Sequence, residues 1–488
     1  MIIFTTNQSG YYNDMADVVR LFFGMEKVAQ QADGEAEAVI THQFAEEGGQ
    51  WVQHCHISSS RGALSKTMES SPVASADRLY VERMAKRLAK LCLYWLLREY
   101  TGMSLPWGSL TGIRPTKVAR QLINEGCEKQ AVASELERIF DVSPPKANLV
   151  SNILQAQQGI WRWGDTAFDV YIGIPFCRTR CLYCSFFSSD AAKPRLVDAY
   201  LAALHTEIAA LGHTMAEHGR QCRTIYIGGG TPVAISTAQL QQVLMAAQAA
   251  FPNATELTVE AGRPDSVTPD TMAMLHDMGV SRVSINPQTM NDDTLQVIGR
   301  GHTASDVLRA YDWARQAGIA QINMDLIIGL PGEGIPHVER TLAALAPLGM
   351  DNLTVHTLAI KHSSRLNERL ADYPLPTDEE ATQMLDLAHA FATDRGMRPY
   401  YMYRQKYMRG NLENVGYALP GAECVYNIDM MEETHDIVAL GAGAVSKRMF
   451  FEQNRHERFP NPKNIEYFVS KIEELIDKKV EFFSQKTI

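Results

Sequence analysis

The sequence shows no long apolar run, and no secretory leader is expected. No segment reaches the about 18 consecutive apolar residues that a membrane-spanning helix needs, so no membrane span is expected. The stretch from Met1 to Asn7 lacks a basic segment followed by an apolar one, so no signal peptide is predicted. The 8 cysteines in 488 residues do not resemble the disulfide framework of a secreted protein. These absences favour a cytoplasmic, reducing compartment.

An excess of positive charge is also absent. The chain has 46 Lys and Arg residues against 56 Asp and Glu residues, which gives a formal net charge of −10. Proteins that bind nucleic acids usually present a basic surface, so a nucleic acid is not the expected partner. An acidic substrate would need cations that are gathered locally. At about 150 residues per domain, the length predicts two to four domains.

Three cysteines lie close together in one short segment. Cys177, Cys181 and Cys184 have the spacing CxxxCxxC, which lets one loop bring all three sulfur atoms to one point. A [4Fe–4S] cluster normally takes four thiolates, so three would leave one iron open to a substrate or cofactor. A zinc site lacks a fourth Cys or His nearby, and three unrelated core thiols would seldom fall so close together. The spacing therefore predicts an iron–sulfur cluster loop.

Residues 1–165 read as a mixed α+β domain. Apolar residues recur with a helical period over 76–100, 118–123 and 131–140, and strand-like stretches occur near 2–4, 38–40 and 51–57. His54, Cys55 and His56 are consecutive on a predicted strand, so their side chains should point to opposite faces, and a pair of surface histidines is favoured over a metal site.

A Gly and a Pro interrupt the helical pattern within 109–117. Arg114 and Lys117 lie in this segment. They are either a clamp for substrate carboxylates or part of a polar turn that starts a helix, and the turn is favoured.

From residue 166 onward, strands alternate with helices, which predicts parallel βα units. The six predicted strands are 167–174, 223–227, 256–261, 282–286, 321–328 and 352–358. This pattern predicts an α/β fold with a partial (β/α)6 barrel over 166–370. In such barrels the chemistry gathers at the carboxyl ends of the strands, where the cysteine loop is also predicted to lie.

Other candidate residues follow the predicted strands. Gly228, Gly229 and Gly230 would let the backbone approach a ligand and offer free N–H groups, although no Gly-Lys-Ser/Thr follows to make a Walker phosphate loop. Glu260 and Asp325 are acidic residues in apolar strands, where a carboxylate needs a partner. That partner is a ligand amine or ribose hydroxyl, or else a structural cation.

Residues 371–488 form a predicted C-terminal α/β extension. The segment 397–406 is rich in tyrosine and basic residues. Such interleaving can hold single-stranded nucleic acid, but the acidic net charge favours a flat aromatic, carboxylated ligand or plain packing.

Together these motifs resemble those of the radical S-adenosylmethionine (SAM) enzymes. The resemblance rests on CxxxCxxC with Tyr183 before the last cysteine, and on Gly-Gly-Gly-Thr-Pro after the second strand. Within that superfamily the chain is identified as a member of the oxygen-independent coproporphyrinogen III oxidase family, on the segments 171–177, 286–288, 298–300 and 325–332. The segments 111–117, 403–406 and 411–417 resemble its HemZ branch, the coproporphyrinogen dehydrogenases.

The resemblance implies two cofactors and the residues that hold them. The three cysteines would bind a [4Fe–4S] cluster, and its open iron would take the amino and carboxylate groups of SAM. Gly229, Gly230 and Thr231 match positions that meet the amino-acid end of SAM. The other residues that match cofactor-binding positions are Tyr171, Tyr183, Glu260, Gln288, Arg300 and Asp325.

The implied function is the oxidative decarboxylation of coproporphyrinogen III to protoporphyrinogen IX without oxygen, in haem biosynthesis. A 5′-deoxyadenosyl radical would remove hydrogen from a propionate, which would then lose CO2 and an electron to become vinyl. An electron donor such as flavodoxin or ferredoxin is implied as a partner. The propionates should meet local cations, and the candidates are Arg178, Arg180, Arg404 and Lys406.

Two positions differ from the well-studied decarboxylating members. Phe186 stands where they have a fourth cysteine, and Gly173 stands where they have a histidine. The related haem chaperones share both differences, so a chaperone that binds and transfers haem without decarboxylation is the alternative function. Cys424 lies in a motif similar to one in those chaperones, and it is either a haem or substrate contact or a buried thiol.

Overall fold

The computed structural model describes the chain except residues 25–27, 32–34, 76, 113, 163, 165, 187, 362, 406–407, 452, 454 and 485–488. The chain forms two compact units, Met1–Ser151 and Asn152–Ile488. The predicted domain boundaries near residues 165 and 370 stay predictions. Among the described helices, none is both long and apolar enough to cross a membrane.

The first unit is built on a five-stranded sheet. Its strands are β1 (Ile2–Thr6), β2 (Val28–Ala29), β3 (Ala38–Glu47), β4 (Gln50–Ser59) and β5 (Gly62–Ser70). Its helices are α1 (Tyr12–Phe23), α2 (Arg78–Thr101), α3 (Pro115–Asn124) and α4 (Val132–Phe140), and α5 (Pro144–Ala156) runs on into the second unit. The strand order is β2-β1-β3-β4-β5, with β1 parallel to both neighbours and β3, β4 and β5 antiparallel.

Strand β4 shows how the two faces of this sheet differ. Cys55 is fully buried, whereas the flanking histidines point to the other face. The ring of His54 lies 2.9 Å from the hydroxyl of Thr67, and that of His56 lies 2.8 Å from the hydroxyl of Ser65, both on β5. The predicted pair of surface histidines is confirmed.

The second unit contains an eleven-stranded mixed sheet. Its strands are β6 (Ala167–Ile174), β9 (Gln221–Gly229), β10 (Glu256–Glu260), β11 (Arg282–Ser284), β12 (Gln321–Ile328), β13 (Asn352–Thr357), β14 (Arg398–Tyr403), β15 (Asn414–Ala418), β16 (Asp436–Leu440), β17 (Val445–Phe450) and β18 (Arg455–Pro460). The short strands β7 (Phe176–Cys177) and β8 (Ser189–Asp190) pair with each other beside it. The helices are α6 (Pro194–Glu217), α7 (Thr237–Ala250), α8 (Pro269–Asp277), α9 (Asp292–Val297), α10 (Ala304–Gln316), α11 (Ile335–Leu345), α12 (Arg365–Glu368), α13 (Asp378–Asp394), α14 (Val425–Glu432), α15 (Ile465–Ser470) and α16 (Ile472–Ser484).

Six neighbouring parallel strands form the partial barrel. Their order is β6-β9-β10-β11-β12-β13, which is the order in which they follow one another along the chain. The prediction of a partial (β/α)6 barrel is therefore confirmed. The sheet continues past both edges, because β16 adds a parallel strand beside β6 and β15 adds an antiparallel strand beside β13.

The composition of the strands explains why the sheet is covered by helices. In β6 the side chains of Phe168, Val170, Ile172 and Ile174 are at most 2% exposed. These alternate positions lie on one face of the strand, so that face must be covered by other elements, as is usual for a face of a parallel sheet. Because parallel strands share one direction, the loops that follow them all lie at one edge of the sheet.

Candidate functional site

The cysteine loop follows directly from the first barrel strand. Cys177 ends β7, and the amide of Ala191 donates to its carbonyl oxygen at 3.1 Å. The amide of Ser189 donates to the carbonyl oxygen of Pro175 at 2.8 Å, which closes the base of the loop. Further along, the amide of Leu182 donates to the carbonyl oxygen of Ile298 at 2.9 Å, so the loop is also tied to the segment after α9. Backbone hydrogen bonds thus hold the three cysteines at the carboxyl ends of the strands.

The three cysteines line one cavity of about 370 Å³, which is a volume typical of sites for small molecules. None of them forms a disulfide. Their sulfur atoms do not all lie within 4.8 Å of one another. A single tetrahedral ion with metal–sulfur bonds of about 2.3 Å would draw them closer than that. The sulfur atoms are therefore farther apart than a single tetrahedral ion would hold them.

Without a bound metal, the surroundings of the Cys184 thiol favour its protonated form. Burial raises the pKa of the Cys184 thiol, and the neighbouring thiols of Cys181 and Cys177 add to the effect. A bound metal ion reverses this preference because it stabilises the thiolate. Two polar groups lie next to the sulfur atoms: the hydroxyl of Thr231 is 3.5 Å from Cys177 Sγ, and Arg263 Nη1 is 3.8 Å from Cys181 Sγ. The donor set therefore fits an iron–sulfur cluster.

The glycine turn after β9 borders the same cavity. At Gly230 a Cβ atom would stand 2.6 Å from the carbonyl oxygen of Phe176, so only glycine fits there. Gly229 has a φ of 109°, in the region that favours glycine. The turn is fixed by hydrogen bonds from the amides of Gly230 and Thr231 to the carbonyl oxygens of Ile174 and Phe176, at 2.9 and 2.8 Å. The backbone can thus approach a ligand without obstruction by side chains. The prediction that this turn offers free N–H groups is wrong for Gly229 and Gly230, because both amides already donate hydrogen bonds within the protein.

Glu260 ends β10 on the cavity wall. Its Oε1 accepts a hydrogen bond from the hydroxyl of Tyr226 at 2.7 Å, and its Oε2 accepts one from the amide of Gly229 at 3.3 Å. Burial raises the pKa of Glu260 to about 7, and the nearby carboxylate of Asp325 adds to the rise. The carboxyl group is therefore poised to gain from a cationic or hydroxyl ligand group.

Asp325 lies within β12 and lines the same cavity. Its Oδ1 accepts from Asn323 Nδ2 at 2.7 Å, and its Oδ2 lies 3.7 Å from Nε2 of His356. The other ring nitrogen of His356 lies 3.3 Å from the hydroxyl of Tyr403. Neither His356 nor Tyr403 was predicted as a site residue, although both line the cavity.

Gln288 and Arg300 have hydrogen-bonding capacity to spare. Gln288 has a φ of 66° and is held by backbone hydrogen bonds with Asp325 and Ile327 at 2.9 and 3.0 Å. Arg300 donates from Nη1 to the carbonyl oxygen of Asn286 at 2.6 Å. Among the described residues, Oε1 of Gln288 and Nε of Arg300 are buried and have no hydrogen-bond partner. A ligand in the cavity would satisfy such atoms at a gain.

Most of the residues predicted from the sequence meet in this cavity. Those that line it are Cys177, Cys181, Cys184, Arg180, Tyr183, Gly229, Gly230, Thr231, Glu260, Gln288, Arg300 and Asp325. Tyr171 does not line it, and its hydroxyl instead lies 3.3 Å from where a Cβ of Gly229 would stand, behind the glycine turn. Tyr171 also stacks with Tyr226 and Tyr426, both with ring centroids 6.4 Å away.

The predicted substrate cations are separated by the structure. Arg180 lines the cavity and donates to the carbonyl oxygen of Ser363 at 2.8 Å. Arg178 is exposed and does not line it. Arg404 is buried beside Asn411, to whose Oδ1 it donates at 2.5 Å, and burial lowers the pKa of Arg404 to about 10. Lys406 lies outside the described residues.

The cavity wall also contains a cation that was not predicted as a site residue. Lys361 lines the cavity, and its Nζ lies 5.9 Å from the ring centroid of Phe186. Burial lowers the pKa of Lys361. Phe186 is 62% exposed at the cavity wall. No local pattern in the sequence indicates this pair, because Lys361 follows β13 while Phe186 follows the cysteine loop.

Cys424 belongs to a buried structural network. It is 2% exposed, does not line the cavity, and donates from Sγ to Glu256 Oε1 at 3.3 Å. The same carboxylate accepts from the amide of Tyr426 at 3.1 Å and pairs with Arg282 at 2.7 Å. Of the two interpretations of Cys424, the structure favours the buried thiol.

Comparison with known proteins relates this geometry to a family. Residues 171–345 match the model of the Radical SAM superfamily. The chain is 39% identical over 399 residues to the oxygen-independent coproporphyrinogen-III oxidase-like protein HemZ of Bacillus subtilis, which covers 80% of this chain and 79% of that relative. It is 30% identical to the haem chaperone HemW of Escherichia coli, over 58% of this chain and 70% of that one.

A solved structure resembles the fold. Coproporphyrinogen III oxidase (HemN) from Escherichia coli, a radical SAM enzyme, superimposes with a TM-score of 0.52 at 24% identity, covering 66% of this chain and 72% of that chain. At this level of identity the likeness supports the partial-barrel fold. The two cofactors expected from the sequence, a [4Fe–4S] cluster and SAM, are those of the matched superfamily.

Proposed function

This chain belongs to the radical SAM family of coproporphyrinogen-III-oxidase-like proteins, and we propose that it decarboxylates coproporphyrinogen III to protoporphyrinogen IX without oxygen. The names of the HemZ and HemW relatives refer to haem or to a haem precursor, which supports a haem-related radical SAM function. The observation that carries the proposal is that the three cysteines share one cavity with a rim pair of an exposed aromatic and a cation, Phe186 and Lys361.

We assign the residues that would hold the cofactors. Cys177, Cys181 and Cys184 would bind the cluster, and the glycine turn at Gly229 and Gly230 would receive the amino-acid end of SAM. When bound, the cluster and SAM supply a 5′-deoxyadenosyl radical that removes a hydrogen atom from the substrate. The remaining residues proposed to contact SAM are Tyr183, Thr231, Glu260, Gln288, Arg300 and Asp325. Tyr171, which was also expected to contact SAM, lies behind the glycine turn and would support that turn.

The protein's own contribution is to bind, orient and shield the reactants. The carboxyl group of Glu260 lies beside the glycine turn, where it suits a ligand amine or hydroxyl. Among the described residues, Gln288 Oε1 and Arg300 Nε are buried and have no hydrogen-bond partner, so they suit polar groups of the same ligand. Burial raises the pKa of Tyr183, which keeps its hydroxyl protonated beside the cysteines.

The rim of the cavity suits a flat molecule with carboxylates. The ring of Phe186 offers an exposed apolar face for a tetrapyrrole, and Lys361 and Arg180 offer charges for its propionates. Each propionate that becomes vinyl gives one hydrogen atom to the 5′-deoxyadenosyl radical, releases CO2 and passes one electron to an external one-electron acceptor. We further propose that an electron donor such as flavodoxin or ferredoxin reduces the cluster.

An anaerobic assay tests this function. Reconstituted protein, reductant, SAM and coproporphyrinogen III are mixed, and CO2, 5′-deoxyadenosine and protoporphyrinogen are measured. The proposal expects CO2 and vinyl product to form in step with deoxyadenosine. Cys184→Ser should abolish all three products, while Cys127→Ser, a change in the first unit, should leave them unchanged. Turnover of SAM with no CO2 would overturn the decarboxylase proposal.

A haem chaperone is the second candidate. It is favoured by Phe186, which stands where the decarboxylating members have a fourth cysteine, and by the 30% identity to HemW of Escherichia coli. This candidate expects tight binding of haem, transfer of haem to an apoprotein, and no vinyl product in the same assay. Haem titration of the reconstituted chain, followed by its absorbance, therefore separates the two candidates.

A further inference from the structure

The first unit contains a cavity that the proposed function leaves without a role. It has a volume of about 220 Å³ and is bordered by α1, α2, α3 and the segment before α3. The charged residues on its wall are Asp14, Arg83, Lys86, Arg87 and Lys90. Four cations therefore face one carboxylate, in a chain whose formal net charge is −10.

The four cations lie on one face of α2. Their spacing of three or four residues makes them neighbours on the helix surface, where like charges destabilise a helix. The one carboxylate on the wall is already engaged, because Asp14 Oδ2 accepts from Lys86 Nζ at 2.9 Å. Two carboxylates outside the wall also approach it, since Asp77 Oδ2 lies 3.6 Å from Arg83 and Glu125 Oε2 lies 3.9 Å from Arg87. Both distances are longer than a hydrogen bond, and the wall itself carries more cations than carboxylates.

Arg87 is only partly compensated by its neighbours. Its guanidinium lies 4.5 Å from the ring centroid of Phe140, and its side chain is 20% exposed. The ion pair with Glu125 spans 3.9 Å from Nη1 to Oε2, which is longer than a hydrogen bond. Burial lowers the pKa of Arg87. A desolvated guanidinium in this state gains from an anion that can accept its hydrogen bonds.

The segment before α3 completes the wall with polar groups. Lys90 Nζ donates to the hydroxyl of Thr111 at 2.5 Å, and the hydroxyl of Ser109 donates to the carbonyl oxygen of Phe140 at 3.2 Å. No atom lies within 4 Å of where a Cβ of Gly112 would stand, so the segment leaves open space there. Hydroxyl groups and cations thus border the same small cavity.

We propose that this cavity binds a small molecule through its phosphate group. A phosphate is a compact dianion with several acceptor oxygens, and guanidinium, ammonium and hydroxyl donors are the groups that bind it in proteins. Arg87 and Lys86 would contribute the main charges. This site lies within the first unit and is independent of the decarboxylation proposed for the second.

Calorimetric titration of the full, reconstituted chain tests the proposal. The probes are inorganic phosphate, pyrophosphate and ATP, with citrate as a carboxylate of similar charge. We expect one saturable site that prefers pyrophosphate or ATP over citrate by about tenfold or more. Arg87→Gln and Lys86→Gln should each weaken that binding by about tenfold. Arg87→Lys, which keeps the charge, should recover part of it.

Two control variants locate the effect. Arg78 lies on the same helix, 90% exposed and paired with Glu82, so Arg78→Gln should leave binding unchanged. Lys361→Gln should also leave it unchanged, which excludes binding in the cavity of the second unit. Thermal unfolding of each variant confirms that the first unit is folded, and Lys86→Gln serves if Arg87→Gln does not fold.

Three results would overturn the proposal. They are the absence of saturable binding of every phosphate probe, citrate binding as tightly as pyrophosphate, and Arg78→Gln weakening binding as much as Arg87→Gln. Because none of these measurements uses coproporphyrinogen, their outcome does not depend on the activity of the second unit.

Discussion

The amide of Gly229 donates a hydrogen bond to Oε2 of Glu260 at 3.3 Å. This contact joins the glycine turn after β9 to the last residue of β10, two neighbouring parallel strands. At Gly228 a Cβ atom would stand 2.8 Å from Cδ of Glu260, so the close approach depends on glycine. The turn and the carboxylate form one continuous wall of the cavity.

Gly230→Ala should damage the site more than an ordinary glycine substitution. Its Cβ would stand 2.6 Å from the carbonyl oxygen of Phe176, so the turn and the cysteine loop must move apart. Overpacking of this kind costs about 1–3 kcal/mol. The midpoint temperature of thermal unfolding should fall. The affinity for SAM, measured by equilibrium dialysis, should also fall. Gly10→Ala, where no atom lies within 4 Å, is the control and should change neither. Full SAM affinity in Gly230→Ala would refute this role of the turn.

Glu260 should make stability depend on pH. Burial raises the pKa of its carboxyl from 4.5 to about 7. The unfolded chain therefore releases this proton near pH 4.5 and the folded chain near pH 7. The stabilisation that comes from the raised pKa of Glu260 is lost as the pH rises from 4.5 to 7.

Glu260→Gln removes the titrating group. The Tm of this variant relative to the parent should rise between pH 4.5 and pH 7. Glu379→Gln, at an exposed carboxylate, provides the control and should show no such trend. A relative Tm that stays constant or falls would show that Glu260 is ionised throughout this range.

Lys361 should bind a substrate carboxylate. Lys361→Gln should weaken the binding of coproporphyrin by about tenfold, the loss expected for one charge-assisted hydrogen bond of about 1.5 kcal/mol. Lys361→Arg should keep most of the affinity. The control is Arg178→Gln, since Arg178 is exposed and outside the cavity. Quenching of porphyrin fluorescence measures all three affinities, and equal affinities for parent and Lys361→Gln would exclude this contact.

Arg263 should raise the reduction potential of the cluster. Its Nη1 lies 3.8 Å from Cys181 Sγ, and a hydrogen-bond donor near a ligand sulfur favours the more negative, reduced cluster. Asp265, 3.0 Å from Nη2, compensates part of its charge. Arg263→Met should make the potential more negative, by about 60 mV for each tenfold loss of that preference. Arg263→Lys should shift it less. A redox titration followed by electron paramagnetic resonance (EPR) gives the potentials, and an unchanged value in Arg263→Met would contradict this role.

The sequence was most informative where chemistry demands a short, fixed pattern. The spacing of the three cysteines and the run of three glycines each predicted a local structure, and the structure places both at one cavity. The alternation of strands and helices predicted the barrel strands closely, since the observed bounds of β6 and β12 equal the predicted ones. These features depend on neighbouring residues alone.

Features that depend on distant parts of the chain were not predictable. β16 pairs with β6 although more than 250 residues separate them, and no local pattern encodes that choice. Arg404 was a candidate substrate contact on composition, but the fold buries it beside Asn411. Lys361 became a candidate only when the fold brought it next to Phe186.

The most direct test of the central claim is the EPR spectrum of the reduced, anaerobically reconstituted protein with and without SAM. The account predicts about four iron and four sulfide per chain and a cluster signal that changes when SAM is added. Cys184→Ser should lose the iron, the sulfide and the signal, whereas Cys127→Ser should keep them. A protein without iron and sulfide, or a cluster signal that SAM leaves unchanged, would contradict it.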